Sequence, residues 1–287
     1  MGEPSRSGLA SGLGLILVSA VAFGAMAIFA RFAYAGGADV VGLLLARFSI
    51  AGALLAAWMA AAKRPWPRGR TLAVAIAMGA VGYAGQAACY FAALDHASAG
   101  LVALLLYAYP TLVCLLAAAL GHERLTRRNG LLLAVSFAGV VLTLGGGHGT
   151  PVGIALGLAA AAFYSVYIVV GARALGAADP LASATVVCLS AAASLALAAV
   201  FRAPHFPVAW WGWAAVLAIA LICTVVAIMA FLAGLKRVGA ATASIASTLE
   251  PVVTVVLAWW LLGETLAPVQ LAGGALVLGS AIQLARR

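Results

Sequence analysis

Charge is scarce in this chain: of 287 residues, 8% are Asp, Glu, Lys or Arg, and only 7 are acidic. A soluble domain carries about 25% charged and about 45 to 50% apolar residues. Here 66% are apolar, too many for a water-facing surface. The few acids do not pair, so a metal site or a lipid-linked transferase centre has no carboxylates to build on. No Gly-x-Ser-x-Gly nucleophile accompanies a deep histidine, which disfavours an intramembrane serine protease. No glycine-rich phosphate loop sits between a strand and a helix, so ATP has no cradle in this chain. The 4 cysteines, Cys89, Cys114, Cys188 and Cys223, lie apart inside apolar segments. That spacing suits neither a disulfide framework nor zinc, and they are read as small packing residues. Loops are too short for a soluble output domain, which disfavours a sensor or assembly subunit. No cofactor is called for.

What is present is a series of apolar blocks of about 20 residues, the length that crosses a hydrocarbon core of about 30 Å. Breaking the chain at charges, prolines and glycine clusters predicts an all-α integral membrane protein. Ten helices are expected, at 13–34, 40–62, 71–94, 98–120, 129–145, 152–174, 180–201, 210–235, 239–262 and 268–285. The polar start, Met1 to Gly12, precedes an apolar stretch longer than a signal-peptide core, so this stretch is read as a retained first helix. The net charge of +9 forms no basic face of the kind that binds nucleic acid. Instead it sorts by topology. With the N-terminus inside, the inner segments hold Arg6, Lys63, Arg64, Arg68, Arg70, Arg124, Arg127, Arg128, Arg173, Lys236, Arg237, Arg286 and Arg287, thirteen of the 16 basic residues. Arg31 and Arg202 fall near outer ends and Arg47 within a span. Short loops rich in Lys and Arg stay cytoplasmic, so both termini are expected there.

The chain also repeats itself. Pro110 and Glu123 recur as Pro251 and Glu264, each 141 residues later, and YPTLVCLLAAALGHERL aligns with EPVVTVVLAWWLLGETL. Ala22-Phe23 matches Ala162-Phe163, and Asp39 matches Asp179, each 140 residues on. Five helices per unit force the second unit to enter the membrane upside down. Two inverted five-helix repeats are therefore expected, 1–147 and 148–287, a construction common among secondary transporters whose site lies near the midplane.

With these residues, the Arg47-Phe48 pair, and the phrase Leu249-Glu250-Pro251-Val252 followed by Leu262-Gly263-Glu264, the sequence resembles the ten-helix EamA-type exporters of the drug/metabolite transporter superfamily. The resemblance covers essentially the whole chain. It implies export of small metabolites such as amino acids across a bacterial inner membrane, with a central cavity lined by helices one to four and six to nine, and helices five and ten peripheral. Import or exchange of phosphorylated or sugar metabolites is the alternative, and such anions call for several cavity cations where only Arg47 is plainly placed. At the position matching Glu250 the first half carries Tyr109.

The candidate transport residues follow from the cost of polarity in lipid. A charge within the hydrocarbon costs about 2.5 to 3.5 kcal/mol and faces a cavity or a partner. Arg47 lies roughly 12 Å below the outer face by helical rise and Glu250 roughly 13 Å, so the two are expected to share a cavity, coupled directly or through substrate or water. Such a pair suits the carboxylate and ammonium of an amino acid; Glu250 is also a candidate for a coupling proton, and a structural ion pair is the plainer reading. Pro110 and Pro251 free the carbonyls of Leu106 and Ser247, which need polar neighbours, and are expected as hinges, cavity walls or simple packing kinks. Tyr83, Gln86 and Tyr90 share one face of helix three, Tyr164 and Tyr167 one face of helix six, and Ser244, Ser247 and Thr248 one face of helix nine. These faces are expected to look inward, or to serve helix–helix hydrogen bonding. Tyr107 and Tyr109 point to different faces, so Tyr107 stays ambiguous. Glu123 and Glu264, after Gly121 and Gly263, are expected to serve the N-terminus of the next helix. His96 and His148 fall in outer loops, and the Gly145-Gly146-Gly147 run reads as a turn between halves. Gly153-x-x-x-Gly157 fits packing within a monomer or in a homodimer.

Overall fold

Short polar caps start several of the helices. Asp39 accepts the Gly42 N–H at 2.7 Å and Asp179 the Ala182 N–H at 3.0 Å; these two repeat-related acids open the second helix of each half. Ser98 and Thr150 do the same for the N–H groups of Leu101 and Gly153, satisfying donors that a helix start leaves free. The computed structural model describes residues 6–121, 126–144, 149–175 and 178–285. Glu123, Arg124, the Gly145–Gly147 run, His148, Arg286 and Arg287 lie outside the described residues, as does the boundary expected at 147.

The described residues form helical rods: α1 (Arg6–Gly24 with Met26–Ala35), α2 (Val40–Ala61), α3 (Gly69–Ala77 through Ala84–Ala93), α4 (Ala99–Leu106 with Tyr109–Ala119) and α5 (Arg127–Leu144). The second half gives α6 (Pro151–Ala174), α7 (Pro180–Phe201), α8 (Trp210–Ala220 through Ala227–Val238), α9 (Ala240–Ser247 with Leu249–Leu262) and α10 (Pro268–Ala285). Among the described residues there is no strand, only an isolated bridge between Ala97 and Gly149. Eight rods, all but α5 and α10, are long and apolar enough to cross a membrane. The ten expected spans are thus met in full by eight; α10 is apolar but shorter over Pro268–Leu284, and α5 begins on Arg127 and Arg128.

Packing follows the repeat. The principal contacts pair α1 with α8 and α6 with α3, which exchange under the repeat, while α2 packs on α7 and α5 on α10. Each of the last two pairs joins a helix to its own repeat mate, as a pseudo-twofold axis requires. Glycines let backbones approach: a Cβ on Gly139 would sit 2.8 Å from the Gly273 carbonyl, tying α5 to α10. Gly153 and Gly157 press on His96 and Leu105, so this small-residue pair packs within the chain.

The interruptions are symmetric too. A π-helical turn widens α3 at Met78–Tyr83 and α8 at Leu221–Val226. α4 and α9 break at Tyr107–Ala108 and Thr248, and Pro110 and Pro251 follow in the first turn of the resumed helix, where a missing N–H costs least.

Contacts between turns sort the rods onto two ends. One end joins the α2–α3 and α6–α7 turns through Arg64 and Asp179 at 3.2 Å. The other joins α1–α2 to α7–α8 by Asp39 and His205, and α3–α4 to the start of α6 by the Thr150 N–H on the His96 carbonyl.

Candidate functional site

A cavity of about 1040 Å³ lies between the halves. It runs from Arg47 and Tyr83 at mid-bundle to Leu175, Ala178 and Pro180 at the α6–α7 end. Toward the opposite end the walls close, with Phe91, Leu94, Ala99, Leu101 and Leu105 all buried. Arg31 ties that closed end by donating to the Leu94 carbonyl at 2.7 Å, and Tyr34 by donating to the Phe91 carbonyl at 2.9 Å.

The structure brings Arg47, Tyr83, Gln86, Tyr90, Tyr109, Pro110, Tyr164, Tyr167, Ser244, Ser247 and Glu250 to this cavity; Pro251 is not on its wall. Arg47 is 2% exposed. It donates from Nε to Thr224 Oγ1 at 3.0 Å and from Nη2 to the Tyr83 hydroxyl at 3.1 Å. The rings of Phe48, Phe91 and Tyr83 stand 4.8, 5.4 and 5.7 Å from its Cζ, a cation–π setting that favours a desolvated guanidinium. Both hydrogen-bonding partners come from the π-helical turns, which re-aim side chains where a regular helix would not. Arg47 therefore has no ion pair with Glu250, contrary to direct coupling.

Glu250 meets Tyr107 instead, with Oε2 3.1 Å from the phenolic oxygen. The same hydroxyl donates to the Ser247 carbonyl at 2.5 Å, filling the place of the N–H that Pro251 lacks. A ladder of rings links the two charges: Tyr83 to Tyr167 at 5.8 Å, Tyr167 to Tyr164 at 6.2 Å, Tyr164 to Tyr109 at 4.7 Å, and Tyr109 to Tyr107 at 5.6 Å. Five of the chain's 7 tyrosines make this wall.

Sequence reasoning passed over Thr224 and left Tyr107 ambiguous. A threonine in mid-span was the one available signal for the first. The break at Tyr107–Ala108 brings Tyr107 and Tyr109 to one cavity, although in a continuous helix they would face apart. Cys114 and Cys188, read as packing residues, line the cavity. So do Ala281 and Leu284 of α10, which makes that helix less peripheral than expected. Glu264 does not serve the helix that follows it. Its Oε2 accepts the Ala99 and Gly100 N–H groups at 2.8 and 3.4 Å, capping α4 of the other half. Gly121 and Gly263 take the left-handed conformation expected of chain reversals.

Apolar membrane-length helices arranged as two exchanged repeats around a largely apolar cavity that holds Arg47 and Glu250 define an integral membrane protein of the transporter class. The EamA-like transporter family model matches the chain twice, over residues 10–145 and 151–286, and the chain belongs to that family. It is 26% identical over 280 residues to the "Uncharacterized transporter YcbK" of Bacillus subtilis, covering 92% of this chain and 89% of the relative. It is 28% identical over 199 residues to an "Uncharacterized transporter" of Archaeoglobus fulgidus, covering 68% and 70%. A solved crystal structure with 26% identity superposes with a TM-score of 0.65 over 97% of this chain and 98% of that one.

Proposed function

We propose that the chain is a secondary active transporter that exports small metabolites, amino acids foremost, across a bacterial inner membrane by alternating access. The two repeats, divided near residue 147, move about the cavity between them, and no nucleotide or other cofactor takes part. The observation that carries this reading is the cavity between the halves that reaches one end of the bundle, with one carboxylate and one guanidinium in a wall of tyrosines. Rings and hydroxyls suit a solute with an apolar body and a few polar groups. Basic side chains at the α6–α7 end, among them Arg64, Arg173, Lys236 and Arg237, support a cytoplasmic placement of that end and of both termini. Phosphorylated solutes suit this wall less well, because Arg47 already bonds to Thr224 and Tyr83.

Efflux from proteoliposomes loaded with a mixed amino-acid pool, with and without a pH gradient, tests the reading. Selective loss of particular amino acids is expected for the wild type and not for Glu250→Ala. Full retention of the pool by the wild type overturns amino-acid export.

A further inference from the structure

We infer that Tyr107 is a two-position hydrogen-bond switch that ties the protonation of Glu250 to the break in α9. The inference rests on the transport reading for its purpose, though its geometry does not. A phenol has one hydrogen, and Tyr107 Oη has two oxygens in reach: the Ser247 carbonyl at 2.5 Å and Glu250 Oε2 at 3.1 Å. A carbonyl cannot donate, so Ser247 is satisfied only while the phenolic hydrogen points to it. The contact with Glu250 is then a hydrogen bond only if the acid's own hydrogen is donated to Tyr107 Oη. With Glu250 protonated, both contacts are satisfied at once, the acid donating to Tyr107 and Tyr107 to the Ser247 carbonyl.

Loss of that proton to water in the cavity changes the arithmetic. A carboxylate is a stronger acceptor than a carbonyl, so the phenolic hydrogen turns to Glu250. Ser247 then loses its donor, and Pro251 has no N–H to restore one. In a span, an unsatisfied carbonyl is expensive, so the cost falls on the segment where α9 breaks at Thr248. The tie from α4 to α9 is remade between different atoms, one turn along.

The groups facing Glu250 leave Tyr107 in this position alone. Tyr83 and Tyr90 of α3, Tyr109 of α4 and Tyr164 of α6 line the same cavity, with Cys223 of α8 buried nearby, yet among the described residues Tyr107 alone hydrogen-bonds its carboxyl. Arg47 of α2 bonds elsewhere, α1 brings Phe23 and Met26, and α10 brings Ala281 and Leu284. The device is one-sided: the first half has Tyr109 at the place of Glu250, and the second half has Thr248 at the repeat position of Tyr107.

The test is a distance between spin labels at Leu120→Cys, just after α4, and Lys236→Cys on α8, in the full chain with its four cysteines replaced by alanine, in lipid at acidic and alkaline pH. The parent is expected to shift its distance distribution with pH. Glu250→Gln, whose amide can donate to Tyr107, is expected to keep the acidic distribution at both. Tyr107→Phe is expected to lose the shift while the infrared band of the Glu250 carboxylic acid still appears and disappears with pH. A parent without a shift, a Tyr107→Phe chain that shifts like the parent, or a Tyr107→Phe chain whose Glu250 band no longer titrates overturns the inference. These distances need no solute, so failed efflux with the shift intact removes the transport reading alone.

Discussion

Arg47 and Glu250 stand on one cavity wall but answer to different partners, Arg47 to Thr224 and Tyr83, Glu250 to Tyr107. Exchanging their charges, with Arg47→Glu and Glu250→Arg together, therefore places a carboxylate among rings that stabilise a cation and a guanidinium where a phenol and a carbonyl meet. The double variant is expected to transport no better than either single one. A direct ion pair would instead be rescued by the swap, so efflux from the three variants separates the two arrangements.

Gly79 lies in the π-helical turn of α3, and a Cβ there would lie 2.1 Å from Ser190 Oγ and 2.3 Å from the Val187 carbonyl. Backbone cannot give way as a flexible side chain can. Gly79→Ala is expected to push α3 from α7 and to destabilise the chain by about 1 to 3 kcal/mol, the range for overpacking a filled interior. Thermal unfolding in detergent reads this directly, and unchanged unfolding would show that α3 and α7 do not need this close approach.

The spans were legible because lipid punishes every exposed charge and polar backbone group, so the apolar runs and their polar breaks mark the rods. Asp39 and Asp179, matched across the repeat, both prove to be helix caps, since capping is decided by residues three apart. The ring face of Tyr83, Gln86 and Tyr90 was legible for the same local reason. Thr224 was not, because its reach to Arg47 depends on a widened turn of α8, packed on α1 and α2, that no local pattern announces. Tyr107 was hidden by a helix break whose rotation no periodicity encodes. Glu264 was assigned to its sequence neighbour, whereas the helix start it caps is 165 residues away in sequence.

Glu264 gives a separable pair of effects at the closed end. Its Oε2 caps Ala99 at 2.8 Å, while Oε1 stands 3.6 Å from Arg31, within ion-pair range but beyond a hydrogen bond. Glu264→Gln keeps an acceptor for Ala99 and loses only the ion pair with the partly exposed Arg31, a loss of at most about 1 kcal/mol. Glu264→Ala loses the cap as well, typically about 0.5 to 2 kcal/mol. Unfolding temperatures are expected to fall in the order wild type, Gln, Ala; a Gln variant as weak as Ala would assign the stability to Arg31.

Asp39 supplies a pH dependence outside the spans. Burial raises its pKa, but hydrogen bonds from the Gly42 and His205 N–H groups and the His205 ring outweigh burial, and the net shift is downward from 3.8. A carboxyl whose folded value is depressed contributes stability above its unfolded value and loses it as pH falls through the lower folded one. Asp39→Asn keeps a side-chain oxygen for Gly42 but has no charge to titrate. The wild type is therefore expected to unfold at higher temperature than Asp39→Asn near neutrality, with the gap closing as pH falls below about 4. A gap that stays constant across that range would mean that Asp39 serves only as a neutral cap, and that the carboxylate adds nothing to holding the α1–α2 turn against His205.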